Sequence, residues 1–448
     1  MRALEKGARL ITIGCCRTQM ARLASLHFES GPGSEGEVIH SLVAAALLQS
    51  GRNGSEAGGY TDPRTIKVTA ELRQAVAWIA GAKRATFMVP PAIGLRDQFR
   101  KSASTLATLA AITGHLNRPG SGVLPLLARS NARGACDMGV APDWLPGYEP
   151  LARGPAQSRL EDLWGRRLPS APGMDAQTLI QSVSGLIILA DDPPSVLPMG
   201  QLATSALRKV EFVAVLDAFV TPTVELAHVA LPIASFAETE GTITCMEGRV
   251  QRLCAATDPP GEARAGWRAL AELCARVGPG AFYGSASPIR DEIAQAAPRY
   301  AGVAAVLNEG WSETRVSESD GAKPVLQGRA TVAPQSDESP YVLAYGDAFD
   351  WGRDPLVWFS PTLSRDSRSE RRLFPGGFVE ISQQDADTVG AHVGRPVRLV
   401  SDHGEAVVPI RLRPELKPGV LLVPYSFRGQ VESVLGEDGV TAVRVEQI

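Results

Sequence analysis

The sequence has no run approaching the roughly 20 apolar residues that a helix needs to cross a bilayer. It has no C-x-x-C either: its cysteines are Cys15, Cys16, Cys136, Cys245, Cys254 and Cys274. Iron–sulfur clusters are held by close, loop-borne cysteine runs, so no such cluster is expected in this chain. A disulfide framework is not expected in a cytosolic protein of this size. Cys15 and Cys16 are adjacent and cannot both grip one metal without strain, so all of the cysteines are expected to be reduced structural thiols. His27, His40, His115, His228, His392 and His403 show no H-x-x-x-H spacing and read as surface or structural histidines. The absence of G-x-S-x-G, of a Walker A loop and of a clean G-x-G-x-x-G after a strand argues against a hydrolase, a P-loop NTPase and a direct NAD-binding dehydrogenase. Neither sign of charge forms a block, and the net charge of -3 leaves no nucleic-acid arm and no acidic tail. The opening residues Met1 to Lys6 lack the apolar core of a signal peptide. The expected location is cytoplasmic, with membrane association only peripheral and through a complex.

What is present is a strand–helix alternation. Ala8–Ile13, Ala85–Val89, Gly185–Leu189 and Phe212–Leu216 read as short apolar strands. Gly36–Leu48, Glu71–Ile79, Asp97–Thr113 and Ala265–Val277 carry helical periodicity. Such alternation predicts a layered α/β sheet with parallel strands. From about Asn308 to Ser339, Ser, Glu, Asp, Gly and Pro dominate without a period, which reads as a linker. Beyond it the pattern becomes short strands and turns. Ser382 is placed to cap a short helix ending at Gly390, and Ser401-Asp402-His403-Gly404 to turn a hairpin between Val397–Val400 and Ala406–Leu412. This predicts a small β-barrel. The expected domains are residues 1–125 (α/β), 126–307 (a second α/β domain), 308–339 (linker) and 340–448 (barrel).

Three segments carry a family resemblance. The first is Asn131-Ala132-Arg133-Gly134-Ala135-Cys136-Asp137-Met138-Gly139, followed by Pro142 and Leu145-Pro146-Gly147-Tyr148. The second runs from Leu216-Asp217-Ala218-Phe219 through Thr221, Thr223, Leu231-Pro232, Ala237-Glu238-Thr239-Glu240-Gly241-Thr242 and Gly248-Arg249-Val250-Gln251-Arg252. The third spans Phe378 to Ile381, Asp385-Ala386, Gly390, Gly404, Pro418-Gly419-Val420 and Ala442 to Glu446. In this order they resemble the molybdopterin oxidoreductase large subunits, the formate dehydrogenase group that includes the large molybdopterin-like subunit of NADH-quinone oxidoreductase. The resemblance implies Rossmann-like layers followed by a molybdopterin-dinucleotide-binding barrel, with molybdopterin guanine dinucleotide as the cofactor. It implies Asn131, Gly134, Asp137, Asp192, Asp217, Thr221, Gly241 and Arg249 as cofactor-binding positions. Glycines admit close backbone approach to phosphate and pterin, and a carboxylate such as Asp217 suits the N–H face of guanine. The residues alone also fit turn glycines and a loop-capping aspartate.

The same resemblance locates departures. Relatives begin with a cluster-bearing module and a loop carrying the Cys or selenocysteine that ligates molybdenum or tungsten; here Met1 aligns beyond both, so no metal ligand and no catalytic residue is expected in this chain. Where relatives show D-P-R-R-T after the first strand, this chain has Gly14-Cys15-Cys16-Arg17-Thr18. Leu127 stands where formate oxidisers place an arginine beside the metal, Pro90-Pro91 where a glycine-rich turn is expected, and Ser433 where the barrel's late Asn is expected. A leucine cannot orient a formate anion. Two functions follow from the resemblance. One is a non-catalytic scaffold subunit of an electron-transfer complex, as in NADH-quinone oxidoreductase. The other is half of a split molybdenum or tungsten formate dehydrogenase-type enzyme that binds the dinucleotide and is completed by a partner chain. Both predict a protein partner, because removing the first strands of the α/β domain leaves an open sheet edge and exposed apolar surface. Trp351 and Trp358 with Arg353 and Arg365 are candidates for a partner surface or for packing the barrel onto the α/β part.

Overall fold

In the computed structural model, residues 2–51, 66–90, 96–116, 118–127, 129–151, 154–197, 200–278, 283–303, 313–315, 336–346, 359–360, 362, 374–436 and 439–448 are described. Most of the expected linker lies outside them, as do Pro91, Trp351, Arg353, Trp358 and Arg365. The chain divides into two compact units. One comprises residues 1–126, 322–353 and 361–448, the other residues 127–321 and 354–360.

The first unit opens with α1 (Arg2–Glu5), β1 (Ile11–Gly14), α2 (Gln19–Leu23), β2 (Leu26–Glu29), α3 (Glu35–Ser50), α4 (Ala70–Gly81), β3 (Thr86–Val89), α5 (Arg96–Ile112) and β4 (Gly122–Pro125). β1 pairs with β2 and β3 with β4, both in parallel. The first strand begins later than its apolar run suggests, at Ile11. Thr18 and Thr69 cap α2 and α4 by accepting the Ala21 and Leu72 amides. In α3 every residue from Leu42 to Leu47 is buried. A helix apolar nearly all round belongs inside a layer, and α3 packs there with Leu72 and Val76 of α4 and Leu109 of α5.

The second unit contains α6 (Ala132–Asp137), the two-residue strands β5 (Trp144–Leu145) and β6 (Glu149–Pro150), α7 (Pro155–Trp164), α8 (Ala176–Ser182), β7 (Gly185–Leu189), α9 (Pro193–Val196), α10 (Gly200–Leu207), β8 (Phe212–Asp217), α11 (Pro222–Glu225), β9 (Val229–Pro232), β10 (Gly241–Thr244), β11 (Arg249–Leu253), α12 (Gly266–Val277), α13 (Ala286–Ala296) and β12 (Glu313–Arg315). β7, β8 and β9 form a parallel sheet in that order. β10, β11 and β12 form an antiparallel one. The parallel sheet buries Leu186, Ile188, Val213 and Val215 against α8 and α10. Its β7 alternates, so Ile187 and Leu189 face outward, and all four residues of β9 are exposed.

The C-terminal part of the first unit is a closed barrel of β13 (Tyr341–Gly346), β14 (Val379–Ile381), β15 (Pro396–Ser401), β16 (Gly404–Leu412), β17 (Val420–Pro424) and β18 (Val440–Gln447), in the order β13-β17-β14-β16-β15-β18. Alternating β15 and β16 send Val397, Leu399, Val408 and Ile410 inward. Ser382 caps α14 (Gln383–Val389), which ends at Gly390 in the left-handed region. The hairpin pairs Ser401 with Gly404. A side chain at Gly404 would meet the Ser433 carbonyl at 2.7 Å; the Ser433 hydroxyl, at the expected Asn position, donates to the Glu405 carbonyl. β13 is buried on both faces. Tyr341, Leu343 and Tyr345 join the barrel interior, while Val342 and Ala344 form an outer cluster against which Cys15 and Cys16 pack.

Candidate functional site

Ligands of open α/β sheets bind beyond the carboxyl ends of parallel strands. At the end of β7 the chain turns through Ala190, whose φ of 48° is an uncommon, strained value for a residue with a β-carbon. Asp191 and Asp192 follow. Asp192 is fully buried, and its Oδ1 accepts from the Thr223 amide (3.1 Å) and hydroxyl (2.5 Å), fixing α11 to the end of β7. Thr221, also fully buried, caps α11 by accepting the Val224 amide. Asp217 closes β8, and its Oδ1 accepts from the Phe219 amide at 3.0 Å. The second carboxylate oxygens of Asp192 and Asp217 are both buried and accept no hydrogen bond among the described residues. Burial pushes the Asp217 carboxyl above the usual carboxylate range, against the pull of the Phe219 and Ala218 amides, and the nearby Asp192 and Asp191 push the same way. Arg129 approaches this end, bonding Asp191 at 3.1 Å and the Ala190 carbonyl at 3.5 Å.

Asn131, Gly134 and Asp137 gather elsewhere in the same unit. The Asn131 side chain lies over α6 and accepts the Thr244 amide of β10 at 2.9 Å. A side chain at Gly134 would collide with Asn131 Oδ1 at 2.2 Å and meet Thr244 at 3.3 Å. Asp137 is buried, accepting from the Tyr300 hydroxyl at 2.8 Å, with Arg133 at 3.6 Å. Tyr300 also meets the Thr244 hydroxyl at 3.0 Å. Buried beside Asp137, its phenol is held well above the usual range. The Asn131 oxygen and the Asp137 carboxylate are thus engaged in fastening α6 to β10 and to the turn at Pro298–Tyr300. Gly241 starts β10 with open space where a side chain would stand. Arg249 lies on β11 with Glu247 at 3.7 Å. The expected residues therefore form two groups: Asp192, Asp217 and Thr221 at the strand ends, and Asn131, Gly134 and Asp137 around β10.

A cavity of about 420 Å³ is lined by Leu127, Arg129, Ser130, Ile243, Cys245, Met246, Gln251 and Arg252. Leu127 donates its amide to the Met246 sulfur at 3.1 Å. The wall that would orient an anion at this position is apolar, and the positive charge comes from Arg129 and Arg252. Arg129, Asp191 and Tyr300 carry no sequence pattern that singles them out; the doubled aspartate after an apolar strand is the one local sign. Among the described residues no group of three His, Cys, Asp or Glu side chains is arranged to hold a metal.

The sequence comparisons decide the lineage. The Molybdopterin oxidoreductase profile matches residues 10–276, more than half of the chain. The chain belongs to the molybdopterin oxidoreductase family. A second profile, the Molydopterin dinucleotide binding domain, matches residues 352–444. Among relatives, the NADPH-Fe(3+) oxidoreductase subunit alpha of Geobacter sulfurreducens is 30% identical over 99% of this chain and 53% of its own length. The F420-dependent formate dehydrogenase 2 subunit alpha of Methanococcus maripaludis is 29% identical over 100% of this chain and 73% of its own. The chain thus spans about half the length of the Geobacter relative. The acetylene hydratase from Pelobacter acetylenicus shares the fold over the whole chain and 75% of its own, with a TM-score of 0.67 at 15% identity. No helix among the described residues is long and apolar enough to cross a membrane.

The ends of β7 and β8 fit the guanine end of a molybdopterin guanine dinucleotide. Guanine presents adjacent N–H donors, and Asp217 offers an acceptor oxygen that no described group satisfies. The corresponding end of the β1–β2 sheet fits less well. There the Ser30 hydroxyl is buried without a partner among the described residues, and a loop with Gly31 and Gly33 leads into α3. The first turn of α3 opens with Glu35, a half-buried carboxyl that burial draws above its usual range. A phosphate at that helix start would meet an acidic side chain rather than a basic one.

Proposed function

We propose that this chain is the dinucleotide-binding subunit of a multi-chain redox assembly and holds one molybdopterin guanine dinucleotide by its guanine end at β7 and β8. The observation that carries this reading is the unsatisfied buried oxygen of Asp217 beside Asp192 at the carboxyl ends of parallel strands. When bound, the cofactor supplies sulfur ligands to a molybdenum or tungsten centre. Asp217 accepts the guanine N–H pair, Asp192 keeps α11 in place through Thr223, and Arg129 and Arg252 offer charge to the pyrophosphate. In this reading a partner chain supplies the group that ligates the metal. The exposed Ile187, Leu189, Phe212, Val229 and Leu231 on the β7–β8–β9 sheet support a protein partner.

A second reading, a non-catalytic scaffold of the kind found in NADH-quinone oxidoreductase, is favoured by the apolar Leu127 and by Glu35 at the α3 start. Titration of the full chain with GDP and with ADP separates the two. Guanine-selective binding that Asp217→Ala abolishes supports the dinucleotide reading. No binding of either nucleotide to a folded chain leaves the scaffold.

A further inference from the structure

The end of β1 delivers two adjacent thiols onto the outside of the barrel. Cys15 and Cys16 are both free and half-buried, and they pack against the cluster of Val342, Ala344, Leu416, Val420, Leu422 and Val440. Backbone contacts clasp this loop to the segment before β17. The Cys15 carbonyl accepts the Lys417 amide at 2.9 Å, Cys16 forms a bridge with Leu416, and the Arg17 amide donates to the Glu415 carbonyl at 3.0 Å. Arg22 adds an ion pair to Glu415 at 2.6 Å. The cofactor reading above uses none of this.

The two sulfurs have unlike surroundings. Neighbours in sequence, they perturb each other's proton affinity in opposite directions. Cys16 faces the Arg413 guanidinium, which is hydrogen-bonded to the buried Glu380, while Glu380 and Glu415 oppose that influence. Cys15 is more deeply enclosed and faces Glu35. Against the effect of burial, the neighbouring Cys15 and the arginine draw the Cys16 thiol below its ordinary value, and the same partnership and burial push the Cys15 thiol up. A thiol drawn below its ordinary value beside one held above it is the arrangement of a reactive dithiol.

We propose that Cys15 and Cys16 form a vicinal dithiol site that takes soft two-electron electrophiles, peroxides in particular, and that its oxidation releases the loop from the barrel. The Cys16 thiolate attacks one oxygen of hydrogen peroxide; an S–O bond forms, the O–O bond breaks, and the departing hydroxide takes a proton to become water. The Cys15 sulfur then attacks the sulfenic sulfur of Cys16. An S–S bond forms, the S–O bond breaks, and the hydroxide leaves as water with the Cys15 proton. Two thiols are oxidised and one peroxide is reduced to two waters. Neighbouring Cα atoms across a trans peptide lie about 3.8 Å apart, shorter than the roughly 4.4–6.8 Å of ordinary disulfides. Closing the ring therefore requires the backbone at Cys15 and Cys16 to leave the conformation that receives Lys417 and bridges Leu416.

The test uses the full chain, reduced and then exposed to stoichiometric hydrogen peroxide, with peptide mass spectrometry under non-reducing conditions. The expected result is a peptide holding both cysteines that has lost two hydrogen masses, resists alkylation and is restored by dithiothreitol. Phenylarsine oxide, a probe for paired thiols, binds one equivalent to the chain and none to Cys15→Ser or Cys16→Ser, while Cys254→Ser binds as the native chain does. Arg413→Gln slows alkylation of Cys16 several-fold. On oxidation the Lys417 amide exchanges its hydrogen at least about tenfold faster. Separate over-oxidation of the two sulfurs, pairing with other cysteines, or arsenical binding that survives both serine variants overturns the site. An unchanged Lys417 exchange rate in the oxidised chain overturns the release.

Discussion

Single residues decide whether the guanine end is empty structure or a waiting acceptor. In the ligand-free chain Asp217 carries an unsatisfied buried oxygen, and its carboxyl is held above the unfolded value of about 3.9. A raised folded-state value means that its favourable contribution is fully present below the unfolded value and is lost as pH rises through the folded one. Asp217→Asn keeps an acceptor for the Phe219 amide and removes that charge. The variant is expected to equal the native chain in urea near pH 4 and to be the more stable of the two at pH 7; a native chain that gains on the variant as pH rises contradicts this. At Gly134 the constraint is space. Gly134→Ala drives a methyl into Asn131 Oδ1 and costs the bond to Thr244, which predicts a loss of about 2 kcal/mol in denaturant unfolding. These roles are only partly legible in the sequence. Asp217 stands after an apolar strand, which is enough to suspect it. Asn131 and Asp137 look alike as candidate contacts, yet their partners are Thr244, 113 positions away, and Tyr300, 163 away. No local pattern announces such pairings.

Elements are most legible where both ends carry a signal. Gly185–Leu189 is an apolar run between polar flanks and forms β7 with those bounds. Ser382 and Gly390 mark α14 because a hydroxyl satisfies the first-turn amides and glycine accepts the left-handed exit. Ser382→Ala is expected to cost the barrel about 1 kcal/mol, measured by thermal unfolding. β1 starts three residues after its apolar pattern because its register with β2 begins at Ile11 opposite Leu26, while the Leu10 carbonyl takes the Ser25 amide where the chain turns into β2. The β10–β11–β12 sheet carries no such signal, since its short strands mix Thr, Arg and Gln with few apolar residues. On the parallel sheet, Ile187 and Phe212 are about half exposed, at 52% and 48%. Changing both to Lys is expected to change the unfolding free energy of the isolated chain by less than about 0.5 kcal/mol. In a pull-down from its own host the same variant is expected to lose its companion polypeptide, and retention of that companion contradicts a docking role for this face.

For the whole molecule, the family profiles, the parallel layers and the closed six-stranded barrel describe a molybdopterin oxidoreductase fold. The ends of its parallel strands are unequal: at the end of β8 one buried oxygen of Asp217 has no partner among the described residues, while beyond β2 the start of α3 presents the Glu35 carboxyl. That inequality predicts one dinucleotide per chain rather than two. The direct measurement is the guanine nucleotide released by acid hydrolysis from the chain purified with its companions out of its own host, alongside the Asp217→Ala variant prepared in the same way. The account predicts close to one GMP per native chain and at least about a tenfold loss in the folded variant. No GMP from the intact native complex, or an amount that Asp217→Ala leaves unchanged, contradicts it.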